Sequence, residues 1–505
     1  MFTEQDYNDI SQQGISISDI NNQMSVITCD KSKVELSAPI VANNGLYVIE
    51  EDKINSMLGN YKKKVGEKKL VKFVPASGAA TRMFKDIVTF INENVESESV
   101  KVVVENLSSF AFYPKLKEKM QQDGLQIETL IQEKDYTTIF KYLLFEKGLN
   151  YLHLPKGLLH FHKYNQEIRT PIEEHLIESV AYTTNKNNVA RVHFTISPEH
   201  SDLFCQNVAN FVNQYKVLFN VKFDVTYSFQ HSSTNTLTFD CNNELFRDKN
   251  NRLVFRPGGH GSLIKNLNEI DADVIFIKNI DNVTTDDLRA DTIKYKKILA
   301  SLLLDFQQDI FSVLQQFDNQ TKIAENIQKA ENILQKCFFV KLSDYYKQLS
   351  EEKKVQYLYR LLNRPIRVCG VVKQEGEPGG GPFWVCNTEN NEENLQIVET
   401  SEINLDNQLQ KNILESSQFF NPVDLVCATK NHKGEFFDLY QYVDYQRFFV
   451  ANKTFEGKNI KAIENPGLWN GAMSNWLTVF VSVPLSTFSP VKTINDLLRK
   501  EHCKK

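Results

Sequence analysis

Asp281 is the sharpest candidate for chemistry in the sequence. It stands in Lys278-Asn279-Ile280-Asp281-Asn282, directly after the apolar run Val274-Ile275-Phe276-Ile277. A carboxylate just past a buried strand can hold Mg2+ between phosphates through its oxygens. The alternative is an Asx turn that closes the strand, made by Asn279, Asp281 or Asn282. A second candidate is Ser77-Gly78-Ala79-Ala80-Thr81-Arg82, which follows Val71-Lys72-Phe73-Val74-Pro75-Ala76. Its small side chains let a ligand approach the backbone, and Arg82 adds a fixed cation with planar donors. The same residues also suit an ordinary tight turn. Lys156, between Pro155 and Gly157, and Lys492, after Pro490, are cations that could neutralise phosphate or simply stand in solvent. Gln230, after the alternating Phe223, Val225, Tyr227 and Phe229, could read a base edge through its amide or complete a hydrogen-bond network.

Other groups suggest other chemistry and suit it less well. His153, His160 and His162 invite a metal, but three ligands need a fourth or a water and supporting bonds, so half-buried strand histidines are the first reading. Glu399 and Glu402 could accept hydrogen bonds from sugar hydroxyls. A paired-carboxylate hydrolase is the rival reading, and nothing beside them resembles its acid/base pair at strand ends. Asp271-Ala272-Asp273 has the form of a glycosyltransferase metal pair, but it precedes its strand instead of following it. Cys369, Cys386 and Cys427 sit in apolar contexts that point to the core.

These residues need a scaffold, and the pattern predicts one. Met83, Phe84, Ile87, Val88 and Ile91 recur at helical spacing after the first loop, so that stretch reads as strand, turn and helix. The helix N-terminus there would offer unpaired N–H groups to phosphate. Thr170-Pro171-Ile172-Glu173 is a helix start, with Thr as N-cap, Pro at the first turn and Glu three residues on. Ile172, Leu176, Ile177 and Val180 supply that helix with an apolar face. Strands at Val192–Ile196 and Phe223–Phe229 alternate with helices, which predicts an α/β protein with a three-layer, mostly parallel sheet. The first loop, Gln230 and Asp281 all follow strand ends, the edge where such sheets bind ligands. Two long helical blocks, about 95–150 and about 285–365, read as insertions that pack outside that edge. Further strands are expected at Arg367–Lys373, Phe383–Val385, Leu395–Val398 and Val479–Val483.

The chain has 505 residues, a formal charge of −5 with both signs interspersed, and eight cysteines without a C-x-x-C pair. That balance argues against a nucleic-acid partner, a disulfide framework and a zinc ribbon. No signal peptide and no apolar run of membrane-spanning length is present, so a cytoplasmic protein without a membrane partner is expected.

Taken in order, the motifs resemble those of the UDP-sugar pyrophosphorylases, a branch of the nucleotidyltransferases with a GT-A-like fold. Pro75-Ala76-Ser77-Gly78-Ala79-Ala80-Thr81-Arg82-Met83 looks like that family's glycine-rich loop, with Ser-Gly-Ala-Ala where paired glycines are usual. Pro155-Lys156, Phe229-Gln230, Pro257-Gly258-Gly259-His260-Gly261 and Asn279-Ile280-Asp281-Asn282 are similar to its next motifs, the Pro-Lys turn lying late behind the first helical block. Val398-Glu399-Thr400-Ser401-Glu402, Phe419-Phe420-Asn421 and Phe488-Ser489-Pro490-Val491-Lys492 resemble the rest. Within that superfamily, the whole chain looks like a bacterial family of unknown function.

The resemblance implies a nucleotidyltransferase that joins an NTP, UTP by preference, and a sugar 1-phosphate into an NDP-sugar with release of pyrophosphate. It implies Ala76, Ser77, Gly78, Ala79, Thr81 and Arg82 on the triphosphate, Lys156 and Lys492 on the reacting phosphates, and Mg2+ on Asp281. Gln230, Gly259 and His260 would face the base, and Glu399, Asn421 and the loop Gly379–Gly381, with Gly380 at its centre, the sugar. It divides the chain into an N-terminal extension (1–70), a catalytic domain (71–440) carrying both helical blocks, and a smaller, β-containing C-terminal segment (441–505) that completes the site. The rival from another class is a nucleotide-binding protein without turnover on the same fold.

Overall fold

The computed structural model describes residues 2–28, 33–165, 167–376, 380–386 and 392–503. Contacts divide the chain into two units. The first comprises Met1–Lys69, Phe229–Ile277 and Lys297–Val483; the second comprises Leu70–Ser228, Lys278–Lys296 and Pro484–Lys505.

In the second unit the apolar run before the first loop forms the strand Leu70–Pro75, buried on both faces, and it pairs parallel to Val189–Ile196. Burial on both faces is what a near-continuous apolar run requires. Lys222–Phe229 lies beyond Val189–Ile196 in the same sheet. Helix Pro171–Thr183 starts where its four-letter signal predicts. Thr170 Oγ1 accepts from the Glu173 N–H, and the Glu173 carboxylate accepts from the Thr170 N–H at 2.6 Å. The first helical block is confirmed as helices Glu98–Glu105, Tyr113–Gln122, Ile127–Gln132 and Tyr136–Leu144. It does not stand apart from the site-bearing elements. Its Phe112, Leu116 and Phe140 share one core with Phe84 and Phe90 beyond the first loop and with Val491 and Leu497 of the C-terminal segment.

In the first unit the strands run in the order Val41–Ala42, Gly45–Tyr47, Leu477–Ser482, Ile366–Lys373, Phe419–Ala428, Val274–Lys278. The first four pair parallel, whereas Ile366–Lys373 and Phe419–Ala428 are antiparallel. The fold is thus mixed α/β, and its large sheet pairs mostly parallel. The second helical block forms Ala290–Asp318, Ile323–Cys337, Asp344–Lys347 and Glu351–Leu362. Neither block supplies a strand among the described residues. Two smaller sheets complete this unit. One pairs Leu36–Pro39, Gly380–Cys386 and Glu393–Glu399; the other pairs Phe255–Pro257, Asn235–Phe239, Lys458–Glu464 and Phe449–Phe455. Phe449–Phe455 was not expected as a strand, because it alternates an exposed face of Val450, Asn452 and Thr454 with a half-buried one and has no apolar run. Among the described residues no helix is long and apolar enough to cross a membrane.

Candidate functional site

The candidate residues form one set in each unit. In the second unit, four separated motifs meet at Lys156. Its N–H donates to Gly78 O at 3.1 Å, and Pro155 bridges to Ala79, so the Pro-Lys turn is clipped onto the small-residue loop. Its Nζ donates to Asp281 Oδ2 at 2.8 Å and to Val491 O at 2.8 Å. The Val491 N–H donates back to Asp281 O at 3.1 Å, and the Ser489 N–H to Asn282 Oδ1 at 2.9 Å. Loop, turn, strand end and C-terminal segment are therefore held together around one cation and one carboxylate. Both side chains are well shielded, at 15% and 19% exposure, which strengthens their attraction over that of a surface pair.

The turn at the strand end is closed by backbone, with the Asn282 N–H donating to Asn279 O at 3.1 Å, and the side chain that binds backbone belongs to Asn282. The Asp281 carboxylate faces Lys156 instead. In the loop, Ala76 is buried and its N–H donates to Thr195 O at 2.8 Å, while Ser77, Gly78, Ala79, Thr81 and Arg82 are exposed. A Cβ on Gly78 would meet nothing, so the backbone lies open to a ligand. One expectation needs correcting. A single 3-10 turn, Thr81–Phe84, intervenes before the helix proper at Lys85–Glu93, so the exposed backbone beside Arg82 belongs to the loop and not to the helix N-terminus. Lys492 is half-buried directly after Val491, and its N–H donates to Asp496 Oδ2 at 2.8 Å.

Of the three candidate histidines, His160 and His162 pack into the core. His160 Nδ1 bonds to Tyr151 Oη at 2.6 Å, and burial pushes this imidazole down to about 4. His162 lies between Glu174 and His502, 2.8 Å from each, and His153 is exposed. Among the described residues no group of three or more His, Cys, Asp or Glu is placed to hold a metal.

In the first unit, Gln230 follows its strand, and its Nε2 is buried without a hydrogen-bond partner. An amide nitrogen can only donate, and buried donors are almost always paired, so this one is poised for an acceptor. The Pro257–Gly261 turn packs on Glu464–Gly467. Gly259 has φ +74°, and a Cβ there would meet Glu464 Oε2 at 2.6 Å, so glycine is required. His260 accepts from the Leu468 N–H at 3.0 Å, stacks on Trp469 at 4.4 Å, and brings Nε2 to 3.6 Å from Glu399 Oε1. Two motifs far apart in sequence thus meet here as well. Burial pushes the Glu399 carboxyl up, but His260 and Asn470 outweigh it and hold it below the usual range. Gly380 is the register partner of Glu399, and a Cβ on it would meet Ile397 Cγ2 at 2.9 Å; Gly379 lies outside the described residues. Asn421 is buried, and its Oδ1 accepts from the Val423 N–H at 3.3 Å. Val423 has φ +57°, an uncommon conformation for a β-branched residue, at an irregularity in its strand pairing.

The discounted candidates are structural. Glu402 is buried against Arg447 at 2.7 Å and accepts from the Glu399 N–H at 2.8 Å, which removes it from a hydrolase pair. Asp271 and Asp273 pair with Lys69 and Lys430 at 2.8 and 2.9 Å ahead of their strand. Cys369 and Cys427 are fully buried. Sequence reasoning missed the Val491 carbonyl and the Asn282 side chain as parts of the Lys156 site. A backbone acceptor has no signal in residue type, whereas Asn282 was visible only as one of three possible turn formers.

A model of the family described as domain of unknown function DUF4301 matches residues 3–503, nearly the full chain. The chain belongs to the DUF4301 family. No curated protein matches it. Among solved structures it is similar to the UDP-N-acetylglucosamine pyrophosphorylase of Trypanosoma brucei, at 12% identity over 98% of this chain and 79% of that one, with a TM-score of 0.49. It is also similar to a variant of the UDP-glucose pyrophosphorylase of Leishmania major, at 10% identity over 99% and 79% of the two chains, with a TM-score of 0.46. A Trypanosoma brucei UDP-glucose phosphorylase follows at 14% identity, over 98% and 77%, with a TM-score of 0.45.

Proposed function

We propose that this DUF4301 chain is a nucleotidyltransferase with a GT-A-like sheet that joins an NTP, UTP by preference, to a sugar 1-phosphate. The observation that carries the proposal is the convergence on Lys156 of four motifs scattered from residue 78 to residue 491, with an open small-residue backbone beside them. A phosphate oxygen of the sugar phosphate attacks the α-phosphorus in line. A new P–O bond forms, the bond to the bridging oxygen breaks, and pyrophosphate leaves with that electron pair. The nucleophile is already ionised, so no general base is needed, and positioning and charge neutralisation remain as the tasks of the chain.

The resemblance assigns the roles, and the placements described above support them. The open backbone from Ser77 to Ala79 and the exposed Arg82 hold the triphosphate, and Lys156 and Lys492 neutralise the reacting phosphates. Asp281, whose Oδ2 accepts from Lys156, is the carboxylate that would hold Mg2+. The metal, when bound, neutralises charge between the α-phosphate and the leaving group. The unpaired Gln230 Nε2 suits a base carbonyl, which a uracil supplies, and the Gly259–His260 turn lies beyond it in the chain. Glu399 and Gly380 face the sugar.

A second reading, nucleotide binding without turnover, is favoured by Ala79 and Ala80 in the phosphate loop. The test is pyrophosphate release across a panel of NTPs and sugar 1-phosphates. Release with one pairing supports the enzyme; tight nucleotide binding without release on any pairing replaces it with the binder.

A further inference from the structure

Helix Pro171–Thr183 carries a polar stripe that the proposed chemistry does not use. His175, Glu178 and Tyr182 recur at helical spacing, and none is more than 1% exposed. Glu178 Oε1 accepts from Lys72 Nζ at 3.0 Å and from Tyr182 Oη at 2.6 Å, and its Oε2 accepts from Lys278 Nζ at 2.9 Å. Lys72 Nζ also donates to His175 O at 3.1 Å, and His175 Nε2 lies 3.2 Å from Ile280 O. On the same helix Ile172 closes over Gly157, where an added Cβ would meet Ile172 at 3.2 Å and Ile280 at 3.3 Å.

These contacts all fall at the roots of the site. Lys72 lies in the strand that feeds the Ser77–Arg82 loop. Lys278 ends the strand that feeds Asp281, Ile280 precedes Asp281, and Gly157 follows Lys156. One helix thus grips all three phosphate-facing segments. Stability alone does not account for it. Two buried ammonium groups on one carboxylate pay a desolvation cost that apolar side chains of the same volume avoid. Burial, with Lys278 and Lys296 as like charges, pushes Lys72 down to about 7 although Glu178 pulls it up.

We propose that Glu178, bridged to Lys72 and Lys278, is a positioning residue that holds the phosphate loop and Asp281 at one fixed spacing for the in-line transfer. It rests on the nucleotidyltransferase reading and acts through its two lysines, without touching substrate.

The test compares wild type with Lys72→Met and Glu178→Gln in the full chain. Lys72→Met removes one of the two ammonium groups bonded to Glu178 and keeps the Glu178–Lys278 bond, so its melting temperature stays level or rises. Its kcat falls at least tenfold while KM for either substrate moves less than threefold, and amide hydrogen exchange rises in 76–82 and 279–282 but not in Val189–Ile196. Glu178→Gln loses kcat similarly but melts lower, because it removes the carboxylate that both ammonium groups bond. Wild-type kcat and unchanged exchange in Lys72→Met overturn the proposal and make the stripe mere packing. If wild type itself releases no pyrophosphate on the panel, the catalytic reading fails, and exchange in the two segments alone decides whether the bridge holds them.

Discussion

Asp281→Asn separates a metal carboxylate from a turn residue. Asparagine matches aspartate in size and keeps an Oδ acceptor for Lys156 Nζ, which also retains its 2.8 Å bond to Val491 O. The turn does not need the carboxylate, since its closing bonds run between the Asn282 N–H and Asn279 O and between the Val491 N–H and Asp281 O. Breaking a fully buried ion pair costs about 3–5 kcal/mol and an exposed one up to ~1 kcal/mol. This pair lies between those limits, and only its charge component is lost, so a loss of about 1–2 kcal/mol is expected. For a unit of this size, that lowers the melting temperature by roughly 2–8 °C. Turnover should suffer far more. Removing several kcal/mol of metal-borne stabilisation lowers it by roughly two or more orders of magnitude. The assay is pyrophosphate release from UTP and the best sugar 1-phosphate as Mg2+ is varied, beside thermal melts with UTP. The variant should keep the melt shift that UTP produces without Mg2+ and lose the increment that Mg2+ adds. Near-normal, Mg2+-dependent turnover in Asp281→Asn refutes the reasoning and moves the metal elsewhere.

Three further outcomes are expected. Lys72 is held near 7 against an ordinary value of 10.5, so the unfolded chain binds more protons between those values. This group therefore makes stability rise with pH from about 7 upward, and urea melts of Lys72→Met should lose that rise. Gln230→Leu removes a donor that makes no bond in the free protein, so its melting temperature should hold. Its KM for UTP should rise roughly tenfold, the worth of one hydrogen bond to substrate, with kcat little changed; an unaltered KM removes Gln230 from the base site. Gly259→Ala places a Cβ at φ +74° and 2.6 Å from Glu464 Oε2, which should lower stability by about 1–2 kcal/mol in a denaturant melt.

What could be read from the sequence follows from where each physical constraint acts. Val274–Lys278 and Leu70–Pro75 were legible because a strand covered on both faces is apolar at nearly every position, and small or Asx residues mark its end. Helix Pro171–Thr183 was legible at its first turn because the capping box is local. Phe449–Phe455 was not, since a one-sided strand with Asn452 and Lys453 in it resembles a loop until Lys458–Glu464 is known to pair with it. The Lys156 site was legible as types but not as partners, because the Val491 carbonyl that completes it is supplied by the path of the chain, 335 residues away.

Glu178 is the most instructive miss. On a helix whose apolar face is already assigned, a polar stripe reads as the solvated side, and that default is sound for most helices. Here the contrary signal was in the strands. Lys72 interrupts Val71-Lys72-Phe73-Val74, and Lys278 closes Val274-Ile275-Phe276-Ile277, both in runs that call for burial. A lysine inside a strand covered on both faces needs a buried acceptor, since an unpaired charge there costs too much to persist. Two such lysines call for a carboxylate within reach of both strands, and Glu178, on the helix that starts at Thr170, supplies it. Polar residues out of place in apolar runs are therefore worth pairing before any helix face is assigned to solvent.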